Sequence, residues 1–253
     1  MKKILAALAI TAVFASCKKE TVTGPAPEPA SGKKVKQINY SDNTGYTETE
    51  TIGYDAKGRM LTYTDDDRIY NFSYESDTRL VVTSVKKSDN TPSTTYECML
   101  NNKGAITEMV FKNTAGVVYY TYKFTYDANN QMTKEEGLFP TRQDHELVAE
   151  IVNGNIVSQK LFRDGQQAST TILSYDGAKT NKNAGTLFNY WPSLTLFGKS
   201  HAFLITEAKT MNMSSTITWH TKSSYELDAD GYVTKCTTNY LTDGSTDFTT
   251  YQY

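Results

Sequence analysis

The stretch Asp228-Ala-Asp-Gly carries two carboxylates at the spacing with which calcium-binding loops hold their ion. Such a loop needs further oxygen ligands and ends in a bidentate glutamate. Residues 234–242 contain no acidic side chain, so the ligand set would be incomplete. An aspartate at this position can instead accept hydrogen bonds from the backbone of a tight turn. We therefore predict a hairpin corner here and no metal.

Other segments begin like reactive motifs but lack an essential member. "DHELVA" at 144–149 starts as His-Glu-x-x-His, yet Ala149 stands where the second ligand belongs. "GKS" at 198–200 resembles a phosphate loop, but Ser193 occupies the first glycine position. Three histidines have no cysteine or histidine at metal-binding spacing: His145, His201 and His220. We predict a protein that is not an enzyme and holds no cofactor.

The thiol of Cys17 is the strongest candidate for chemistry. Lys2 and Lys3 precede an apolar run, Ile4–Phe14, which is typical of a secretory signal and too short for a membrane-spanning helix. Ala15-Ser16-Cys17 resembles the bacterial lipobox, although Phe14 replaces the usual leucine. The resemblance implies removal of residues 1–16 as a signal peptide and acylation of Cys17.

Residues 17–36 are predicted to form a lipidated cysteine followed by a flexible tether. The segment "KKETVTGPAPEPASGKKVK" is rich in Pro, Gly, Ser and Lys and has no apolar periodicity. Lys18 follows the cysteine, which by resemblance to lipoprotein sorting implies the outer membrane. We expect a lipid-anchored protein on the periplasmic or the cell-surface side.

The composition of the remainder favours strands. Residues 37–253 fit one domain, and the chain contains 18 Tyr. Aromatic and β-branched side chains suit a pleated, half-buried surface. Without Lys2 and Lys3, 24 Lys and Arg stand against 28 Asp and Glu, which offers no basic face for nucleic acid.

A hairpin corner recurs along the chain. Corners follow Tyr54, Tyr74, Leu100, Tyr126 and Leu227. A second family of turns lies between them, so we predict an antiparallel up-and-down meander of about 14–16 strands. The expected cross-strand pairs are Tyr54–Met60, Tyr74–Leu80, Leu100–Ile106, Tyr126–Met132 and Leu227–Val233. In corners of the Asp-Ala-x-Gly type a left-handed residue must close the bulge, a place that suits glycine and, at its own corner, Asn130.

Simple alternation then assigns the two faces of the sheet. The apolar face should collect Ile52, Tyr70, Phe72, Val82, Tyr96, Val110, Tyr120, Tyr122, Phe124 and Tyr225. The same alternation places the charged residues Glu108, Lys134 and Lys235 on the apolar face. It places Cys98 on the apolar face and Cys236 on the opposite face, so the two cysteines should not form a disulfide and we predict two free thiols. A large sheet with one apolar face should close into a barrel or fold over on itself.

The corner "YDAKGR" with flanking alternation resembles the YD-type hairpin repeat. Together with the lipobox, the tether and the late segment "YDGAKTNKNAG…YWPSLTLFGKSHAFLITEAK", it resembles a group of lipoproteins of unknown function from gut-dwelling Gram-negative bacteria. The fold of that group is described as porin-like. The resemblance covers residues 37–253 and implies a fold, not an activity; Asn183 replaces the proline more usual in that group.

The hairpin rhythm breaks at 179–213, where a short helical turn around Pro192–Phe197 is expected. Aromatic residues of this segment, together with Trp219 and His220 just downstream, form a candidate ligand platform. Its members are Tyr190, Trp191, Phe197, Trp219 and His220. The alternative is that the segment plugs one barrel end and buries its aromatic rings.

Three functions stay open. The leading hypothesis is a non-enzymatic envelope lipoprotein whose β-scaffold binds a ligand or partner, a glycan or an envelope protein. The alternatives are a membrane-embedded porin-like barrel and a purely structural or adhesive surface module. Charges on a lipid-facing wall cost about 2–4 kcal/mol each at the membrane midplane, which disfavours the pore.

Overall fold

The computed structural model describes residues 32–182, 191 and 196–253, and all sixteen regular elements in them are β-strands. The strands are β1 Gln37–Asp42, β2 Thr47–Tyr54, β3 Met60–Thr64, β4 Arg68–Ser76, β5 Arg79–Lys86, β6 Pro92–Leu100, β7 Ile106–Lys112, β8 Val118–Tyr126, β9 Met132–Phe139, β10 Arg142–Val152, β11 Asn155–Arg163, β12 Gln166–Thr180, β13 Phe203–Asn212, β14 Ile217–Leu227, β15 Val233–Tyr240 and β16 Thr246–Gln252. The predicted all-β meander is confirmed. Within these ranges no helix is long and apolar enough to cross a membrane.

Each strand pairs antiparallel with the next, and the last strand pairs with the first. Ile38 of β1 lies opposite Tyr251 of β16 and, on its other side, opposite Glu50 of β2. The sheet is therefore a closed barrel with no free edge. Of the two predicted architectures, the barrel is confirmed and the folded-over sheet is wrong.

Corners of the Asp-Ala-x-Gly type form as the turn chemistry requires, whereas the corner after Tyr74 is the two-residue connection 77–78, which has no left-handed residue. Asp228 Oδ1 accepts hydrogen bonds from the backbone amides of Asp230 and Tyr232, both at 2.9 Å. The Gly231 amide donates to the Asp228 carbonyl at 3.0 Å, and Gly231 has φ +81°. Asn130 takes the left-handed place at its own corner, with φ +64°. The Asp-Ala-Asp-Gly stretch is thus a hairpin corner.

All five predicted cross-strand pairs are confirmed, but an extra residue follows most of the corners. Tyr126 lies opposite Met132, whereas Thr125 lies opposite Lys134, so Thr133 bulges out of the ladder. The same one-residue bulge occurs at Leu61, Thr107, Val157 and Thr234. Because side chains alternate with period two, each bulge reverses the faces of the strand beyond it.

This reversal corrects five face assignments made from simple alternation. Glu108, Val110, Lys134 and Lys235 point outward, because their partners across the ladder are Met99, Glu97, Thr125 and Glu226, all on the outer face. Cys236 lies opposite Tyr225 and points inward, as Cys98 does. Both thiols are free, as predicted, although the reasoning from opposite faces was wrong.

Tyrosine hydroxyls near the corners form hydrogen bonds with backbone carbonyls of the neighbouring strand. The hydroxyl of Tyr126 donates to the Ile106 carbonyl at 2.6 Å. Tyr225 and Tyr253 make the same bond to the carbonyls of Ile205 and Val233, at 2.6 and 2.7 Å. These bonds satisfy carbonyl groups inside the barrel, where an unpaired group is costly.

The two ends of the barrel differ, and we name them the base and the mouth. The base is formed by residues 32–36, the corners at 55–59, 77–78, 101–105, 127–131, 153–154 and 228–232, and the described residues of the long connection after β12, which are 181–182, 191 and 196–202. The mouth is formed by eight connections of two to five residues: 43–46, 65–67, 87–91, 113–117, 140–141, 164–165, 213–216 and 241–245.

Candidate functional site

The described part of the connection between β12 and β13 closes the base from within, through Trp191 and residues 196–202. Trp191 is only 2% exposed and meets the rings of Phe72, Tyr96 and Tyr70 edge-on, with centroids 5.1, 5.3 and 6.3 Å away. Phe197 is fully buried against Phe124 at 5.7 Å. Such edge-to-face packing adds stability beyond the buried area alone. One half of the interior is therefore a packed apolar core.

Backbone hydrogen bonds attach this connection to the surrounding strands. The Ile106 amide donates to the Leu196 carbonyl at 2.8 Å, and the Lys199 amide donates to the Asn130 carbonyl at 2.6 Å. Gly198 lies between these contacts with φ +79°, and a Cβ there would collide with the Asn130 carbonyl oxygen. Only glycine fits at this close approach.

The other half of the interior is lined by small hydroxyl side chains. Thr171 and Thr210 share a hydrogen bond of 2.8 Å, and Ser223 and Thr238 share one of 3.2 Å. These four residues point inward by register yet keep part of their surface accessible, which indicates solvent-accessible space on this side. We call this side, formed by β12–β16 and β1, the polar lumen.

Aromatic rings stand where the polar lumen reaches the mouth. Trp219 is 37% exposed, points inward opposite Thr210 and meets Tyr240 at 6.3 Å. Tyr40 of β1 lies on the same inner face and meets Tyr46 at 6.1 Å. The mouth therefore offers accessible aromatic faces beside hydroxyl groups, a combination found in sites for polar organic ligands.

Carboxylates near the mouth are held by tyrosine hydroxyls. Tyr240 donates to Asp247 Oδ2 at 2.6 Å, and burial together with this bond raises the pKa of Tyr240 to about 12. Glu50 points inward from β2, where burial raises the pKa of its carboxyl group despite a hydrogen bond with Tyr63. The mouth thus has an acidic character that disfavours anionic ligands.

A histidine on the facing wall is held between two carboxylates. His145 Nε2 lies 3.0 Å from Glu135 Oε1, and Nδ1 lies 3.2 Å from Asp144 Oδ2. The hydrogen bond with Glu135, followed by that with Asp144, raises the pKa of His145 against the effect of burial. The Tyr120 hydroxyl donates to Asp144 at 2.9 Å. A Cβ on Gly137 would strike both Tyr120 and His145, so glycine makes room for this cluster.

Ion pairs cover the outer wall of the barrel. Lys134 lies 2.8 Å from Glu146 and 3.2 Å from Glu136, all three pointing outward. Further outward pairs join Lys112 to Glu97 at 2.6 Å and Lys235 to Glu226 at 3.0 Å. The charges lie at several positions around the circumference, some near the middle of the wall, as Glu136 and Glu146 do, and some near its ends, as Lys112 and Glu226 do.

The five residues predicted as a ligand platform do not come together. Tyr190, like Cys17, lies outside the described residues, as does most of the helical turn expected at Pro192–Phe197. Trp191 and Phe197 are buried beneath the base, so the described part of the segment follows the plug alternative. Trp219 lies at the mouth, and His220 points outward, with Nε2 2.8 Å from Glu207. Of the platform, Trp219 alone among the described members reaches the mouth from inside.

Sequence reasoning missed the carboxylates that accompany Trp219. The alternation Thr47-Glu-Thr-Glu-Thr51 carried a signal, since it places Glu48 and Glu50 on one face of β2. Which face that is depends on closure of the barrel. Asp247 and the His145 cluster lie on distant strands, and no local pattern relates them.

The comparisons with known proteins agree on the fold. No family model and no curated protein matches the chain. A porin-like protein from Bacteroides uniformis is 18% identical with a TM-score of 0.67, and the match covers 86% of this chain and 97% of that one. A porin-like protein from Bacteroides vulgatus is 12% identical with a TM-score of 0.62, covering 88% and 99%. The porin-like fold implied by the resemblance is thereby confirmed: the chain shares the closed antiparallel barrel of these proteins.

Proposed function

We propose that the chain is a non-enzymatic envelope lipoprotein, anchored to the outer membrane through Cys17, whose barrel stands in water and binds a polar ligand at its mouth. The proposal has two parts, the surroundings of the barrel and the ligand it takes. Each has its own support and its own experiment.

The outer wall supports a barrel surrounded by water. Glu136 and Glu146 lie near the middle of β9 and β10, on the wall that a membrane-spanning barrel would present to hydrocarbon, and Lys134, the third residue of β9, pairs with both. A lysine at the membrane midplane costs about 2–4 kcal/mol, and a glutamate costs less. Membrane-spanning barrels have a polar interior. Here the packed half of the interior is apolar and contains Trp191 and Phe197.

The single observation that carries the ligand proposal is the lining of the polar lumen where it meets the mouth. Trp219 and Tyr240 present aromatic rings, and Thr210, Ser223 and Thr238 present hydroxyl groups on the same inner face. Sugars combine faces that stack on aromatic rings with hydroxyl groups that need polar partners. A neutral glycan therefore matches this lining best, and an envelope-protein partner is the alternative occupant.

Tryptophan fluorescence tests the ligand. The chain has two tryptophans, one buried and one at the mouth, so a ligand at the mouth should perturb Trp219 alone. We expect saturable emission changes with a neutral oligosaccharide from a broad panel, retained in Trp191→Phe and absent in Trp219→Phe. No change with any oligosaccharide, or an equal change in Trp219→Phe, would contradict a glycan site at the mouth.

Planar-bilayer recordings test the surroundings of the barrel. The mature protein should give no stepwise conductance, and its barrel should remain monodisperse in detergent-free buffer once the acyl chains are removed. Stepwise conductance that scales with protein concentration would favour the membrane-embedded pore instead. A barrel that stays in water while binding no ligand would favour the structural or adhesive module.

A further inference from the structure

The polypeptide enters the barrel at the base and is held there. Lys33 Nζ lies 2.8 Å from Asp228 and 2.7 Å from Asp230, two carboxylates of one base corner. Lys34 donates to the Gly58 carbonyl, and the Val35 carbonyl accepts the Tyr54 hydroxyl at 2.8 Å. Exposed ion pairs are individually weak. Together with the buried Val35 side chain, these contacts attach residues 33–35 to the base rather than to the wall or the mouth.

The two ends also carry opposite charge. The base connections hold eight basic residues, Lys33, Lys34, Lys36, Lys57, Arg59, Lys103, Lys182 and Lys199, and five acidic ones, Asp55, Asp77, Asp127, Asp228 and Asp230. The mouth connections hold one basic residue, Lys87, and six acidic ones, Asp65, Asp66, Asp67, Asp89, Asp164 and Asp243. The formal net charge is thus +3 at the base and −5 at the mouth. When the first and last residues of every strand are counted with the end at which they lie, the net charges become +4 and −1, which have the same signs.

We propose that the base is a docking surface for anionic lipid headgroups, so that the mouth points away from the membrane. This inference rests on the proposed anchoring through Cys17. Because residues 33–35 are bound to the base, about 15 residues separate the anchor from the barrel, and a coil, which their Pro- and Gly-containing composition predicts, spans about 20 Å at that length. Basic residues at an anionic leaflet are each attracted by about 1 kcal/mol. The mouth, at −5 or −1 by the two counts, offers no such net attraction.

The orientation can be measured by energy transfer from the barrel to lipid. Ala56 at the base and Ala115 at the mouth are a matched pair, because both are exposed alanines in short turns. In a Cys236→Ser background, Ala56→Cys or Ala115→Cys is labelled with a donor dye, and the mature lipoprotein is placed in phosphatidylcholine–phosphatidylglycerol vesicles containing headgroup-labelled acceptor. We expect at least twofold greater transfer from position 56. Equal transfer, or greater transfer from position 115, would overturn the orientation.

Charge reversal tests the cause of the orientation. Lys57→Glu with Lys103→Glu should reduce the difference between the two labels, as should 1 M salt or vesicles of phosphatidylcholine alone. Lys87→Glu at the mouth is the matched control and should leave the difference intact. An unchanged difference in the base variant would show that the phospholipid headgroups are not recognised.

Failure of the anchor is read separately, by flotation of the protein with the vesicles. A chain that does not float in 1 M salt contradicts lipidation at Cys17 but leaves the docking surface testable. Such a chain should still bind phosphatidylglycerol vesicles at low salt with position 56 nearest the acceptor. Absence of binding there would overturn the docking surface itself.

Discussion

Inside the barrel, tyrosine hydroxyls satisfy two kinds of acceptor. At the corners they bond to backbone carbonyls, as Tyr126 does to Ile106. Near the mouth they bond to carboxylates, as Tyr240 does to Asp247. The abundance of tyrosine predicted strands, but the hydroxyl partners could not be predicted. The Ile106 carbonyl is 20 residues from Tyr126 and Asp247 is 7 residues from Tyr240, and both contacts depend on the register across the ladder.

Removing one corner hydroxyl should measure the strength of such a bond. Tyr126→Phe leaves the ring in place but removes the donor to the Ile106 carbonyl, so we expect the free energy of unfolding to fall by about 1–2 kcal/mol. Urea denaturation checks the loss. Tyr119→Phe, at a ring that is 42% exposed, is the control and should change stability by less than about 0.5 kcal/mol. Equal effects of the two variants would contradict the role of the corner bond.

His201 should make the barrel less stable as the pH falls. Burial lowers its pKa from 6.5 to about 4, and its Nδ1 shares a hydrogen bond of 2.9 Å with the Tyr175 hydroxyl. Below pH 6.5 the unfolded chain binds a proton that the folded barrel does not, so stability falls between pH 6.5 and 4, by about 3 kcal/mol in total. Urea midpoints across this range check the slope, which His201→Gln should flatten. A variant with the wild-type slope would contradict this origin.

His145 should make the barrel less stable as the pH rises above about 6.5. Its pKa is raised by Glu135 and Asp144, so its contribution is complete below the unfolded pKa of about 6.5 and is lost as the pH rises through the folded value. Unfolding measured from pH 6 to 9 should show a decline that His145→Gln removes. The His201→Gln variant is the control and should retain this decline, because the two histidines titrate independently.

At the scale of the elements, the corners and their bulges decide which side chains reach the interior. Aligning the corners on the Asp-Ala-x-Gly pattern, which those after Tyr54 and Leu227 carry in full, allowed the five corner pairs to be predicted, because a tight turn fixes the register locally. The bulge two positions later could not be predicted from alternation, and it turned Lys134 outward and Cys236 inward. In three strands the bulged residue is a threonine, such as Thr133, whose hydroxyl bonds across the ladder to the Thr125 carbonyl at 3.2 Å.

The closing segment of the base should be sensitive to a single methyl group. Gly198 and Gly116 have nearly the same backbone conformation, with φ +79° and +78°, but a Cβ meets the Asn130 carbonyl only at position 198. Gly116→Ala should cost about 1 kcal/mol from conformation alone. Gly198→Ala should cost about 1–3 kcal/mol more and shift Trp191 emission to the red as the segment loosens. Equal losses, with Trp191 emission unchanged, would contradict tight packing at the base.

At the scale of the whole molecule, closure depends on β16, which joins the two ends of the meander. Thr250 points outward between Asn39 of β1 and Lys235 of β15. Closure leaves no exposed strand edge, and it brings the lining of the polar lumen together from strands at opposite ends of the chain. Tyr40 of β1 also shares a side-chain hydrogen bond with Asp247 of β16, a contact at the mouth that exists only because β1 meets β16.

A proline in β16 should open the barrel. Thr250→Pro removes a backbone donor and places a rigid ring in a central strand, so we expect a loss of at least about 3 kcal/mol and edge-to-edge oligomers. Thr250→Val keeps the backbone donor and the β-branched shape and serves as the control. Size-exclusion chromatography and urea denaturation of both variants check the outcome. A monomeric, stable Thr250→Pro protein would contradict closure through this pairing.

By itself, the sequence determined the strands, the corners, the pairs that flank them and an expectation of lipid attachment at Cys17, because these depend on neighbours within a few residues. Only the tertiary structure decided which faces point inward, that Trp191 packs under the base while Trp219 reaches the mouth, and that charge separates between the two ends. The physical reason is that one extra residue in a strand reverses its faces at little local cost. Closure of the barrel then favours the arrangement in which the apolar side chains are buried in its interior. This requirement involves all sixteen strands at once, so no short stretch of sequence reveals it.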